Sequence, residues 1–148
     1  MKWRPADRVR AVAIGLAVQN SRLLVVEVLD DSGALQGWRP PGGGVQFGEP
    51  ASKALEREIR EELDGDISID GRPWIFENLY EHEGAIGHEV VFAFPITLME
   101  GRFYASSRFE ISEDSGTRHW AEWIALSHFR SGEQVLFPLD LLKHMAES

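Results

Sequence analysis

Apolar residues occur in short runs along the chain, and most runs lie between turn-forming residues, which is typical of β-strands. The first two runs flank Asn20-Ser21, which predicts a turn between two strands. The pattern predicts strands at 10–18, 22–29, 74–82, 88–98 and 119–126, with a short strand at most within 64–73. These strands indicate that a sheet is the framework of the protein.

One long segment, from Pro50 to Leu63, shows apolar residues at helical spacing instead. Pro50 suits the first helical position, where a missing N–H matters least. Shorter helices are predicted near 126–131 and 138–146, and irregular structure is predicted at 30–33, 34–44 and 99–117. Strands before and after one central helix predict a layered α/β (α+β) fold with a mixed sheet, and the length suits a single domain over residues 1–148.

The predicted long helix carries four acids within seven positions, and helical phasing divides them. Its apolar arc consists of Ala51, Ala54, Leu55, Ile59 and Leu63. Glu58, Glu61 and Glu62 fall inside or beside this arc, whereas Glu56 falls largely on the opposite side. We therefore expect three carboxylates to point toward the body of the protein.

Two interpretations of these carboxylates are open. A charged helix face is usually solvated, and Arg57 and Glu61 have the spacing of a helical ion pair. Glu58 and Glu62, however, are like charges at i,i+4, which costs about a few tenths of a kcal/mol in water and more on partial burial. A hard divalent cation held by carboxylate oxygens relieves this repulsion, so we favour a metal site.

Composition narrows the class of protein further. The formal net charge of -9 argues against a domain that grips nucleic acid through its phosphates or binds an anionic membrane. The chain has no cysteine, which excludes disulfides, zinc-thiolate sites and thiol nucleophiles. No apolar stretch has the length of a signal peptide or membrane span, so a cytoplasmic location is the default expectation.

The segment from Gly43 to Gly65 resembles the Nudix box, whose pattern is Gly, five residues, Glu, seven residues, Arg-Glu-aliphatic-x-Glu-Glu-x-Gly-aliphatic. The matching positions are Gly43, Glu49, Arg57, Glu58, Ile59, Glu61 and Glu62. The pattern departs at its end, where Asp64 replaces the glycine and Gly65 replaces the aliphatic residue. A one-residue shift, with Gly65 as the helix cap, would account for this departure.

The resemblance implies a Nudix-type α/β/α sandwich with a central mixed β-sheet. It also implies hydrolysis of a diphosphate linkage in a small nucleotide, such as a nucleoside triphosphate, a damaged nucleotide or a nucleotide sugar. The implied metal ligands, for Mg²⁺ or Mn²⁺, are Glu58, Glu61, Glu62 (the box glutamates below) and the carbonyl of Gly43. Arg57 is then expected to orient a glutamate, with Glu61 favoured by helical spacing, and Glu49 to brace the glycine loop.

The general base and the substrate contacts are less sharply indicated. For the base we expect Glu61 or Glu62, and the later acids that stay open are Glu89, Glu110, Glu113 and Asp114. For the substrate we expect contacts from Trp38, Arg39 and Gly44, with Arg10 as an alternative phosphate ligand. Phe47 and Tyr80 are further candidates for stacking on a base, although core packing is the commoner role of aromatic residues.

Two other functions fit the same resemblance. One is a non-catalytic Nudix domain that senses a nucleotide, but the intact box glutamates favour catalysis. The other is removal of pyrophosphate from RNA 5′ ends, against which the net charge of -9 weighs. The oligomeric state stays open, and a homodimer is one candidate, suggested by the habit of the family and by the general abundance of two-fold dimers.

Overall fold

The computed structural model describes residues 2–112 and 118–145. Its strands are β1 (Val9–Leu16), β2 (Val18–Gln19), β3 (Arg22–Leu29), β4 (Leu35–Arg39), β5 (Gly42–Gly44), β6 (Ile67–Ile69), β7 (Trp74–His82), β8 (Ala85–Leu98), β9 (Arg108–Ser112) and β10 (Arg118–Ala125). Its helices are α1 (Ala51–Leu63), α2 (Arg102–Ala105), α3 (Leu126–Arg130) and α4 (Leu141–Met145). None of these helices is long and apolar enough to cross a membrane.

The strands form two sheets. The first has the order β5-β1-β8-β6, and β7 also pairs with β8. It is mixed, because β1 and β8 run parallel while the other pairs are antiparallel. The second has the order β2-β3-β10-β9, with β4 paired to β3, and all of its pairs are antiparallel.

Alternation along β8 divides the core into two layers. Phe94, Ile96 and Leu98 pack in one cluster with the apolar side of α1. Val91 and Ala93 pack in a second cluster with buried residues of α3 and α4. Because side chains of a strand alternate between faces, helices cover both sides of the mixed sheet. The expected α/β/α sandwich is confirmed.

The prediction of irregular structure at 34–44 is wrong, because this segment contains β4 and β5. Gly42 has φ of 150°, and a methyl group in its place would lie 2.8 Å from the Cα of Ile14. Glycine therefore lets β5 approach β1 more closely than a residue with a side chain could. Pairing with β1 and β3 overrides the low strand propensity of glycine and proline.

The expectation for 99–117 is also wrong within the residues described, because α2 and β9 lie there. Phe103 on α2 is only 1% exposed, and its carbonyl accepts a 2.8 Å hydrogen bond from Trp123 Nε1. Burial of this one ring orders a segment whose polar composition alone indicates a loop.

Helix α1 ends at Leu63 as predicted, but its first residue and its C-terminal cap differ from the prediction. Pro50 is the N-cap, with extended backbone at φ −62° and ψ 147°, so the helix begins at Ala51. At the other end Asp64 is left-handed, with φ 54° and ψ 48°, and its N–H donates to Arg60 O. Asp64 thus takes the left-handed conformation that glycine commonly provides at a helix end, and Gly65 is not the cap.

A different constraint explains Gly65. A methyl group in its place would lie 2.6 and 2.8 Å from ring carbons of Phe103. The buried ring of Phe103 therefore occupies the space into which an aliphatic side chain at position 65 would project. The two departures from the box have separate causes, one in the backbone and one in packing.

Candidate active site

Helix α1 packs on β5, and this contact brings Glu58 against a strand made only of glycine. A methyl group in place of the Gly43 hydrogen would lie 2.6 and 2.7 Å from the two carboxylate oxygens of Glu58. Any side chain at position 43 would displace this carboxylate. The close approach also places the backbone of Gly43 next to the first of the box glutamates.

Arg57 fastens this arrangement. Its Nε and Nη2 donate to the two oxygens of Glu49 at 2.9 and 3.0 Å. Its Nη1 donates to Glu58 Oε1 at 2.9 Å, and Nη2 also donates to Gly44 O at 3.0 Å. The hydrogen bonds from Arg57 hold the pKa of the Glu49 carboxyl below its usual range. Glu61 lies farther from Arg57, at 3.6 Å, so the main partners of Arg57 are Glu49 and Glu58.

Glu49 also braces the loop before the helix. Its Oε1 accepts a 3.1 Å hydrogen bond from the backbone N–H of Gln46. One carboxylate therefore joins the glycine loop to Arg57, which is the structural basis for the bracing role expected of Glu49.

The ionised form of Glu58 is disfavoured by its surroundings. Burial raises the pKa of its carboxyl, and the hydrogen bond and positive charge of Arg57 lower it. The negative charges of Glu61 and Glu62 raise the pKa again, so that it lies above its ordinary value. Arg57 alone does not compensate the negative charge that gathers here.

Glu62 is the most enclosed of the box glutamates, with its side chain 10% exposed. Its Oε2 accepts a 2.8 Å hydrogen bond from Arg39 Nη2, and its Oε1 accepts a 3.3 Å hydrogen bond from Gly42 N. Arg39, which the sequence suggests as a substrate contact, therefore serves as the counter-ion of Glu62 in this structure.

Glu61 does not point inward as the helical phasing predicts, because its side chain is 47% exposed. It lines a cleft of about 260 Å³, called the second cleft below, together with Glu62, Arg102 and Glu110. Glu110 forms an ion pair with Arg118 at 3.0 Å. Among the later acids considered as general base, Glu110 thus shares a cleft with two box glutamates.

The other candidate acids lie elsewhere. Glu89 on β8 accepts hydrogen bonds from Asn78 Nδ2, at 3.3 Å, and from the Tyr80 hydroxyl. Neither cleft described here is lined by Glu89. Glu113 and Asp114 lie outside the residues that the structure describes.

Another cleft, of about 500 Å³ and called the first cleft below, is lined by Glu58. Two residues that the sequence suggests as substrate contacts, Gly44 and Phe47, line it together with Arg8 and Arg10. The ring of Phe47 is fully exposed, so core packing is excluded for this residue. Trp38 is not part of either cleft: it is 5% exposed in the core, and its Nε1 donates to Gln134 Oε1 at 2.8 Å.

Sequence reasoning missed Arg8 as a cleft residue. The signal for it is the Arg-Val-Arg order at 8–10, because residues two apart lie on the same side of an extended chain.

The residue types at the box fit a divalent cation, because carboxylate and carbonyl oxygens are the ligands that Mg²⁺ prefers. The raised pKa of the Glu58 carboxyl is the sign of negative charge that such an ion would offset. The box glutamates do not converge on one point, since Arg57 and Arg39 hold the oxygens of Glu58 and Glu62. Among residues 2–112 and 118–145, a different set of side chains meets a simple distance criterion for a metal site. The possible ligand atoms of this set all lie within 4.8 Å of one another, and its members are Asp31, His82 and Glu83.

The acidic helix, the glycine strand and the mixed sheet between helices define a Nudix fold. Residues 8–142 match the NUDIX domain, which is more than half of the chain. The chain belongs to the Nudix family of pyrophosphohydrolases, whose members are typically metal-dependent.

Individual relatives agree with this family. The nucleoside triphosphatase NudI of Escherichia coli is 37% identical over 73 residues, which are 48% of this chain and 52% of that protein. The chain thus spans about half the length of this curated relative. Among solved structures, a NUDIX hydrolase from Nitrosomonas europaea superposes with a TM-score of 0.63 at 18% identity, covering 95% of this chain and 87% of its own. The Escherichia coli ORF135 protein gives a TM-score of 0.59 at 21% identity, covering 94% and 90%.

Proposed function

We propose that this chain hydrolyses a diphosphate linkage in a small nucleotide by attack of water on phosphorus, with Mg²⁺ or Mn²⁺ bound. The observation that carries the proposal is the carboxylate of Glu58, half-buried on Gly43 beside two further glutamates. An arrangement that leaves negative charge uncompensated is costly unless a cation binds there.

The ligands we assign are the carboxylates of Glu58, Glu61 and Glu62 and the carbonyl oxygen of Gly43. When bound, the cation polarises the phosphate oxygens and lowers the pKa of water. Arg57 fixes the side chain of Glu58 through its hydrogen bonds to Glu58 and Glu49.

For the proton acceptor we favour Glu61. Its carboxylate is the most exposed of the box glutamates. It is also the farthest from its arginine partner, at 3.6 Å from Arg57, whereas Glu58 and Glu62 lie 2.9 and 2.8 Å from theirs. It is therefore the least committed to a structural ion pair. Glu110 lines the same cleft but is paired with Arg118, so it is the second choice.

The substrate class we favour is a nucleoside triphosphate or a related small nucleotide. The similarity to a nucleoside triphosphatase over 48% of this chain supports this choice. The net charge of -9 weighs against RNA, because an RNA phosphate backbone requires a basic surface.

The test is a panel of nucleotides with phosphate and pyrophosphate quantified separately, in Mg²⁺ and in EDTA. We expect turnover only with the metal. Glu62→Gln and Glu61→Gln should each lower kcat by on the order of 100-fold or more, because each removes a carboxylate that binds metal or accepts a proton. Glu110→Gln should cost less than about tenfold.

The matched control is Glu56→Gln on the same helix, since Glu56 pairs with the exposed Lys53 at 3.3 Å and lines neither cleft. This variant should keep the kcat of the unmodified chain. Full turnover by Glu62→Gln at saturating Mg²⁺ would refute the assignment of the box glutamates, and turnover in EDTA would refute the metal dependence.

A further inference from the structure

The first cleft has a positive wall that the proposed reaction does not use. Arg8 and Arg10 line it together with Gly44 and with Glu58, the first of the box glutamates. The cleft is thus continuous with the proposed metal site and offers room, about 500 Å³, for a further part of the substrate. In a chain of net charge -9, two arginines on one wall are a local exception.

Neither arginine is neutralised within the part of the chain that the structure describes. Arg8 and Arg10 form no hydrogen bond and no ion pair there. By contrast, Arg39 and Arg57 are held by acids at 2.8 and 2.9 Å. The guanidinium groups of Arg8 and Arg10 therefore keep all their N–H donors for a ligand.

Arg10 is half-buried, and its surroundings hold it in place. Its Nη2 lies so close to Gly44 that a methyl group there would clash. Glu89 is its register neighbour on β8, but the Glu89 carboxylate accepts hydrogen bonds from Asn78 and Tyr80. Glu89 thus lends a nearby negative charge without occupying the donors of Arg10.

The Tyr80 hydroxyl stays a hydrogen-bond donor to Glu89 throughout the neutral range. Burial, followed by the charge of Glu89, raises its pKa to about 12. Gly87 makes room for this ring, because a methyl group in its place would lie 2.6 Å from the Tyr80 oxygen. Two glycines, at 44 and 87, therefore leave the space in which this polar cluster is built.

We propose that Arg10, assisted by Arg8, binds a phosphate of the substrate beyond the diphosphate that lies at the box glutamates. A guanidinium group binds phosphate oxygens through two parallel N–H bonds, which a neutral group cannot replace. The preferred substrate class is then a nucleoside triphosphate, in preference to a nucleoside diphosphate joined to a neutral sugar. The inference rests on the proposed function for the position of the diphosphate.

The experiment measures binding without turnover. Two nucleotides with methylene groups in place of the bridging oxygens, one a triphosphate and one a diphosphate, are titrated into the protein with Mg²⁺ by calorimetry. The unmodified chain should bind the triphosphate analogue roughly 10- to 100-fold more tightly, the effect of charged hydrogen bonds to one additional phosphate. Arg10→Ala should remove this difference while the Kd of the diphosphate analogue stays the same.

Two further variants sharpen the result. Arg10→Lys should restore part of the preference, because a lysine keeps the charge but not the paired donors. Arg72→Ala, which removes an exposed arginine that lines neither cleft, should change nothing. Equal preference for the triphosphate in Arg10→Ala and in the unmodified chain would overturn the inference, and so would an equal loss for both analogues.

Kinetics separate this inference from the proposed function. If hydrolysis occurs, Arg10→Ala should raise KM for a nucleoside triphosphate roughly 10-fold or more and leave that for a nucleotide sugar unchanged. If no nucleotide is hydrolysed, the proposed function fails. An Arg10-dependent preference in the binding measurement would still support the phosphate site.

Discussion

At the scale of single residues, Asp64 stands where the Nudix box pattern has a glycine. It closes α1 in the left-handed conformation, with φ 54° and ψ 48°. Residues with a Cβ pay a steric cost in this region, and aspartate tolerates it better than most. The chain therefore ends α1 in a backbone conformation that aspartate fits less well than glycine would.

Asp64→Gly should stabilise the protein. The removal of the Cβ relieves backbone strain worth about 0.5–1 kcal/mol, which corresponds to roughly 1–4 °C in Tm for a chain of this size. Asp64→Ala should be less stable than the unmodified chain, because alanine keeps the Cβ and tolerates the left-handed region less well than aspartate does. Thermal unfolding of the three proteins checks the order, and three equal Tm values would contradict the strain.

Single residues also mark the limit of prediction from sequence. Spacing identified Glu58 and Glu62 as residues on the inner side of α1, because helical periodicity fixes which residues share a face. It did not predict the exposure of Glu61, and it left Trp38 open between a substrate contact and core packing. Both depend on how neighbouring elements pack, which local spacing does not contain.

At the scale of elements, one side chain fastens helix α1 to β5 and the glycine loop. Arg57 donates to Glu49 and to the carbonyl of Gly44, while Glu49 accepts from Gln46 N. The orientation of Glu58 depends on this fastening, because Arg57 also holds Glu58 at 2.9 Å. Groups behind the ligands commonly set the affinity of a metal site.

Glu49→Gln should weaken metal binding without removing a ligand. The Mg²⁺ concentration for half-maximal activity should rise about 10-fold or more, as for other residues that orient ligands. Glu56→Gln, which breaks an exposed ion pair of the same helix, is the control and should leave it unchanged. An unchanged Mg²⁺ requirement in Glu49→Gln would mean that the fastening has no role in metal binding.

The same variant has a signature in pH. The folded protein lowers the pKa of the Glu49 carboxyl, so its stabilising effect is present above the unfolded pKa and is lost as pH falls through the folded pKa. The Tm values of Glu49→Gln and the unmodified chain should therefore converge in acid.

The elements themselves were predicted with uneven success. The strands at 22–29 and 74–82 and helix α1 follow from their own periodicity. Strands β4 and β5 did not, since glycine and proline are read as breakers. Their formation depends on partners distant in sequence, such as Val135 O, which accepts the N–H of Trp38 at 2.9 Å.

At the scale of the whole molecule, the negative net charge makes a further cluster of ionised carboxylates at the candidate active site unfavourable. The chain carries -9 overall, and helix α1 places Glu61 and Glu62 close enough to Glu58 for their charges to raise its pKa. The pKa of Glu58 is raised by burial first, so the ionised carboxylate destabilises the folded protein at neutral pH. This cost disappears as pH falls through the folded pKa, because the folded state binds the proton more readily than the unfolded chain.

Glu58→Gln should therefore raise Tm in EDTA and abolish the stabilisation by Mg²⁺. The unmodified chain should gain about 5 °C or more when Mg²⁺ exceeds its Kd 100-fold, since binding at that excess contributes about 2.7 kcal/mol. Thermal unfolding in EDTA and in excess Mg²⁺ measures both effects. A lower Tm for Glu58→Gln in EDTA would show that Arg57 compensates the charge after all.

Because Gly65 lies against the ring of Phe103, the substitutions that position 65 tolerates depend on the residue at position 103. An aliphatic residue at 65 meets the Phe103 ring at 2.6 Å, so it becomes acceptable only after the ring has been replaced by something smaller. A variant of this protein could therefore accept the aliphatic residue of the box pattern at position 65 only after position 103 had changed. The reverse order passes through an overpacked intermediate, which makes this pair a case of epistasis between a motif and a helix 38 residues downstream of it.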